Sequence, residues 1–166
     1  MLLVILMKQI VVGVAEMKVT NQPGEMLVTK PLGACIALAV YDPKARVGGI
    51  LHFMLPNSDK EASSAQRAPF LFADTGIPHL FKECYRLGAV KRRMLVKVAG
   101  GSQVLGGSEH FNIGPRNYAA LRKILLKNNV LICSEDVGGH KARILHLDMA
   151  TGKVWVKTTG AEIIEL

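Results

Sequence analysis

Residues 94–133 read MLVKVAGGSQVLGGSEHFNIGPRNYAALRKILLKNNVLIC, and this stretch decides the fold. Its first six residues, 94–99, are apolar apart from Lys97 and read as a strand. A glycine-rich segment follows, with Gly100-Gly101 and then Gly106-Gly107-Ser108. Pro115 can open a helix, because a first-turn proline lacks only an N–H that would find no helical partner there. Tyr118, Leu121 and Leu125 fall on one face of that helix, and Asn128-Asn129 closes it. Residues 130–133 read as a second strand. Strand, helix and strand in that order make a crossover between parallel neighbours, right-handed by the usual twist of strands.

The flanking sequence extends this pattern. Upstream, Asp74 can cap a helix whose apolar residues Ile77, Leu80, Phe81, Cys84 and Leu87 form one stripe, with Gly88 where a helix ends. Residues 57–68, rich in Ser, Asp, Lys, Glu and Ala, read as an exposed loop. Two apolar runs, 36–41 and 47–55, surround Asp42-Pro43-Lys44, and the β-rich segments 10–14 and 26–28 flank a turn at Asn21-Gln22-Pro23-Gly24. Downstream, 144–149 and 154–157 form a hairpin around Thr151-Gly152. With no repeat or long linker, residues 1–166 read as a single mixed α/β domain. Its β-sheet core is built from hairpins and one βαβ crossover, with helices packed on the sheet.

Composition supports a real core. The chain has 166 residues, 49% of them hydrophobic, too many for a disordered polymer. No apolar run approaches the roughly 18–20 residues that span a bilayer. The opening MLLVILM precedes Lys8, the reverse of a signal peptide, which places its charge first. Residues 1–8 therefore read as a buried or frayed first strand, or as an extension from an upstream start with Met7 as the true one, and the protein as cytoplasmic. Three cysteines without a CxxC pair point to a reducing compartment, not a disulfide framework.

Lys and Arg number 21 against 13 Asp and Glu, a net charge of +8. The cations cluster at Lys82, Arg86, Lys91, Arg92, Arg93 and Lys97, and again at Arg116, Arg122, Lys123 and Lys127. A solvated helix face is the plain reading, and an acidic protein helix fits the charge as a partner. Nucleic acid fits poorly, since a stacking groove needs aromatics and only 5% of the chain is aromatic.

Chemistry concentrates at Leu32-Gly33-Ala34-Cys35-Ile36 and Gly48-Gly49-Ile50-Leu51-His52. A hairpin turning between Pro43 and Lys44 sets Cys35 directly across from His52, where Cβ atoms lie roughly 5 Å apart. A bulge at Gly48-Gly49 would shift that register. A thiol beside an imidazole is the minimum for an activated nucleophile, with a neighbouring cation expected to lower the thiol pKa. Gly33-Ala34 leaves room for a substrate and for backbone N–H groups to face an oxyanion. On the same residues, Cys35 can equally be a small buried hydrophobe and His52 its satisfied neighbour. Cys84 on its helix stripe and Cys133 in a strand read as core. His79, His110, His140 and His146 make no HExxH and join no CxxC, so no metal site is expected. The glycine-rich stretch lacks both P-loop and dinucleotide signatures and reads as backbone turns near a groove.

These residues carry a resemblance. Leu32-Gly33-Ala34-Cys35-Ile36, Tyr41-Asp42, Gly48-Gly49-x-x-His52-x-Met54-Leu55-Pro56, Ala73-Asp74 and Leu87-Gly88-Ala89 occur in one order. Lys97-Val98-Ala99-Gly100-Gly101, Phe111-Asn112-Ile113-Gly114-x-Arg116-Asn117, Glu135-Asp136-Val137-Gly138-Gly139-x-x-x-Arg143 and Thr151-Gly152-Lys153-Val154 follow. Together, from about residue 9 to 157, the sequence resembles the chemoreceptor glutamine deamidase family, CheD, of bacterial chemotaxis.

The resemblance implies hydrolysis of glutamine side chains in the cytoplasmic helical region of chemotaxis receptors, giving glutamate and ammonia. It also implies an active site similar to that of the cytotoxic necrotising factor toxins. Cys35 is then the nucleophile, His52 the base and Thr29 the third member that orients the imidazole. The backbone at Ala34 and Cys35 would form the oxyanion hole, and Gly100, Gly101, Ser102, Gly138 and Gly139 would border the substrate groove. No metal or cofactor is implied, and a monomer is the simplest state. A CheC-type phosphatase is a second partner the family can take, which leaves open a binding module without turnover. Methyl-ester hydrolysis by the same thiol is another alternative. Two departures stand out: Ala34 replaces the Ser most relatives carry before the nucleophile, and Ala99-Gly100-Gly101-Ser102 replaces Phe-Gly-Gly-Ala.

Overall fold

In the computed structural model, which describes residues 6–59, 61–103 and 112–166, the strands form two five-stranded sheets. Along the chain come β1 (Lys8–Val12), β2 (Glu16–Thr20), β3 (Glu25–Thr29), β4 (Ile36–Asp42) and β5 (Val47–Phe53). The helices α1 (Ala62–Arg67) and α2 (Ala73–Arg86) follow, then β6 (Leu95–Gly100), α3 (Ile113–Lys127) and β7 (Ser134–Val137). The chain ends with β8 (Arg143–Asp148), β9 (Val154–Thr158) and β10 (Ile164–Glu165). One sheet runs β1-β3-β8-β9-β10 and the other β2-β5-β4-β6-β7.

The layers follow from side-chain alternation. On β4, Ile36, Leu38 and Val40 join the cluster under α2 and α3, while Ala37, Ala39 and Tyr41 join the cluster against the first sheet. Both faces of β4 and β5 are therefore covered, and every residue of the two strands is buried. That is why 36–41 and 47–55 read as unbroken apolar runs instead of alternating ones. The expected mixed α/β class holds, with two sheets where one was expected.

The crossover stands, with its far strand displaced. α3 carries the chain from β6 to a parallel β7, but pairing begins at Lys97↔Ser134, beyond 130–133. Val130 and Ile132 instead pack on the helix-side core as the chain leaves α3. Cys133, expected inside a strand, is exposed. The segments at 10–14 and 26–28 pair in parallel, because β2 lies between them and crosses to the other sheet. Lys8 belongs to this first strand and pairs with Glu25. The 144–149 and 154–157 hairpin is β8 with β9. Segment 57–68 contains the short α1, none of whose residues is buried. α2 is capped by Phe72, and the Asp74 carboxylate accepts from Ser58 N–H at 3.1 Å and Ser58 Oγ at 2.9 Å. Gly106, Gly107, Ser108 and His110 lie outside the described residues.

Several of the clustered cations have partners within the chain. Arg93 pairs at 2.9 Å with the fully buried carboxylate of Asp42, which also accepts from the backbone of Lys44, Ala45 and Val90. Lys97 Nζ donates to Leu166 O at 2.6 Å, Arg86 pairs with Glu83, and Arg122 donates to Tyr118 Oη. Among the described residues, no helix is long and apolar enough to cross a membrane.

Candidate active site

The β4–β5 ladder pairs Ile36 with Phe53 and Ala37 with His52. The expected opposition of Cys35 and His52 is therefore displaced by two residues. The turn is longer than expected: Asp42 still pairs with Val47, and Arg46 closes the loop at φ +55° by donating its N–H to Asp42 O. Gly48 and Gly49 form no bulge and sit in register, where a Cβ would meet Val40 O at 2.9 Å and Lys18 O at 2.7 Å respectively. A shift of two keeps the side-chain parity. Cys35 and His52 remain diagonal neighbours on the inter-sheet side, at the roughly 7 Å spacing of such pairs.

Cys35 lies just before β4, half-buried, on a loop whose carbonyls are all held. Leu32 exchanges two backbone hydrogen bonds with Arg143, at 2.7 and 3.1 Å. Gly33 O accepts from Ser102 N–H at 2.9 Å, and Ala34 O from Asn117 Nδ2 at 3.0 Å. Cys35 O accepts from Gly101 N–H at 2.8 Å. Gly100, at φ +111°, makes the close approach possible, since a Cβ there would stand 2.2 Å from Cys35 O. Behind it, the buried Arg143 guanidinium donates to Gly100 O, Asp136 O and Gly138 O. The N–H groups of Gly33 and Ala34 find no acceptor among the described residues.

His52 is fully buried in β5, between β4 and β2. Its Nδ1 lies 3.2 Å from Val12 O, and a carbonyl can only accept, so Nδ1 carries the proton. Nε2 is left as a bare acceptor with no partner among the described residues. Thr29, expected to orient the ring, is buried at the end of β3, where its Oγ1 accepts from Leu145 N–H at 3.0 Å. The group on the imidazole is thus the carbonyl of Val12, the residue paired with Thr29 across β1 and β3.

Burial decides the electrostatics. It raises the Cys35 thiol above its ordinary value, and the residue's own backbone N–H pulls it only partly back. It lowers His52, against the opposing pull of Val12 O and the Glu16 carboxylate. Among the described residues no cation contributes to the thiol, contrary to the expected lowering. Both groups are therefore neutral at rest, and no hydrogen bond joins them among the described contacts. A neutral thiol next to a neutral, correctly tautomerised imidazole fits proton transfer during attack better than a pre-formed ion pair.

The remaining residues divide clearly. Gly100, Gly101 and Ser102 are buried and hold the Cys35 loop, while Gly138 is half-buried and Gly139 exposed. Cys84 is on the buried face of α2, where burial pushes its thiol up to about 12. Sequence reading gave no role to three contributors. Val12 acts through its backbone, which leaves no side-chain signal. Glu16 pairs across β2 and β5 with His52, in a strand whose Glu and Lys masked it. Asn117 stood within a matched motif without a function.

Known proteins place this geometry in a family. The family model described as CheD chemotactic sensory transduction matches residues 54–158. The chain is 49% identical over 160 residues to a protein of Syntrophus aciditrophicus named probable chemoreceptor glutamine deamidase, covering 96% of this chain and 100% of that protein. A Solibacter usitatus protein of the same name is 44% identical over 156 residues, covering 94% and 92% of the two chains. One from Anaeromyxobacter dehalogenans is 43% identical over 152 residues, covering 92% and 96%. The family model begins after His52, but the relatives extend across nearly the whole chain, the Cys35 loop included. On that extent of similarity, the chain belongs to the CheD family.

Proposed function

We propose that this protein is a cysteine-dependent protein-glutamine deamidase acting on the cytoplasmic helical region of chemotaxis receptors. The names of its relatives support the reaction. The observation that carries the mechanism is the tautomer of His52, whose Nδ1–H faces Val12 O and whose Nε2 lone pair is free. Cys35 Sγ attacks the carboxamide carbon as its proton passes to Nε2. The oxyanion is met by the N–H groups of Ala34 and Cys35, whose loop needs no reorganisation because its carbonyls are already held. The imidazolium returns the proton to the leaving nitrogen, releasing ammonia and leaving a thioester. Water, deprotonated by Nε2, then attacks the thioester, giving glutamate and the free thiol. Thr29 supports the β3–β8 junction next to Val12, so its contribution to the ring is through that carbonyl. Gly138 and Gly139 border the approach to the thiol, and the enzyme works in the cytoplasm, where its receptor helices are.

The test is mass spectrometry of a recombinant receptor cytoplasmic fragment after incubation with the wild type and with Cys35→Ala. A gain of about one dalton at a glutamine, absent with Cys35→Ala and accompanied by ammonia but no methanol, is the expected result. An unchanged receptor, or a mass gain that persists in Cys35→Ala, overturns the reading.

A further inference from the structure

The α3 helix sends one fully buried polar side chain into this site. Asn117 is 0% exposed, and its Nδ2 uses both protons, donating to Ala34 O at 3.0 Å and to Met54 O at 2.8 Å. Those carbonyls flank the point where the β4–β5 ladder stops. The last rung is Ile36↔Phe53, and the next would join Cys35 to Met54. One amide stands in for that missing rung. Its orientation is forced, because two carbonyls accept and only N–H can face them. Oδ1 is consequently left buried without a partner among the described residues, a cost that folding alone gives no reason to keep. The helix reaches this depth at Gly114, where a Cβ would meet Gly101 O at 2.5 Å and Ser102 O at 2.6 Å.

We infer that Asn117 is a positioning residue: by bridging Ala34 and Met54 it fixes the spacing between the loop that carries Cys35 and the strand that carries His52. Ala34 is the residue before the thiol, and Met54 lies two beyond the imidazole. Without the bridge the ladder frays from its open end, and that end carries both reacting groups. A displacement of about 1 Å at such a pair can cost on the order of 10²-fold in rate. The activity readout rests on the deamidase reading, but the bridge can also be tested on the thiol alone.

The variants are Asn117→Ala, which removes both donors, and Asn117→Ser, which keeps one within a smaller volume. Each is first shown to be folded by circular dichroism and a cooperative melt. In Asn117→Ala, kcat on the receptor fragment is expected to fall about 10²-fold with KM little changed, and Asn117→Ser to recover part of it. Separately, the pH midpoint of Cys35 alkylation by iodoacetamide, followed by peptide mass spectrometry, is expected to move by about one unit, a tenfold change at fixed pH. A purely structural Asn117 would lower the melting temperature and move neither readout. Folded Asn117→Ala with wild-type kcat and a wild-type alkylation profile overturns the inference, and if Asn117→Ala does not fold, the same readouts on Asn117→Ser decide it. A moved alkylation profile in a protein that deamidates nothing would sink the deamidase reading and leave the bridge standing.

Discussion

His52 has its proton on the nitrogen that faces Val12 O and none on the other, and burial keeps the ring from taking a second. As the proposed base it must be neutral, so the acid limb of kcat/KM is expected below pH 6.5, the ordinary imidazole value. A pH–rate profile checks this, and an acid limb above 6.5 would mean the ring is held differently. Among the thiols, iodoacetamide at neutral pH is expected to label exposed Cys133 first and Cys35 more slowly, and to spare Cys84, whose thiol is pushed up to about 12. His52→Ala is expected to slow Cys35 labelling near neutral pH further. The residue pair itself was legible, since a cysteine after Gly-Ala and a histidine after Gly-Gly share a face by parity. The partner of the imidazole was not, because Val12 offers a carbonyl that every residue type possesses.

At the scale of elements, the sequence showed where strands and helices lie better than how they register. The β4–β5 turn was misplaced because Arg46 takes a left-handed conformation that nothing in its side chain announces. The far strand of the crossover was misplaced because Val130 and Ile132 serve the helix layer, while the paired strand is the more polar Ser134–Val137. The turn residues themselves were conspicuous, and the structure explains Asp42. Burial alone would raise its carboxyl, but Arg93 and the N–H groups of Val90, Ala45 and Lys44 hold it well below the usual carboxylate range. Asp42→Asn is expected to lower unfolding stability by about 3 kcal/mol, read from urea denaturation. Gly100→Ala combines a φ of +111° with a Cβ 2.2 Å from Cys35 O. It is expected to cost about 1–3 kcal/mol of stability and to abolish deamidation in the folded protein. Normal activity would mean that the Cys35 carbonyl is free to move.

The whole molecule integrates these groups into one pH dependence. Burial lowers both His52 and His146, the latter with help from the charge on Lys157. Below pH 6.5 the unfolded chain therefore binds more protons than the folded one, and stability falls as pH drops through that value. Asp42 acts in the same direction below about pH 4, the ordinary carboxylate value. On the alkaline side, burial keeps Cys35 and Cys84 protonated in the fold, so stability falls again once unfolded thiols ionise, near 9.0. Urea midpoints measured from pH 5 to 10 are expected to fall at both ends of that range. The α/β class was legible from the alternation of strand and helix, but the division into two sheets was not. It depends on β2 leaving β1 and β3 to pair with β5, a long-range choice that local pattern does not encode.

The tethers of the Cys35 loop also impose an order in time. Thr29, Cys35 and His52 are all synthesised early, whereas the groups that hold the loop come from Gly101 and Ser102, then Asn117, then Arg143. A chain leaving the ribosome N-terminus first carries every proposed reactive side chain long before it can seat the thiol. A product that stops short of β8 lacks Arg143 and with it the two backbone hydrogen bonds that hold Leu32.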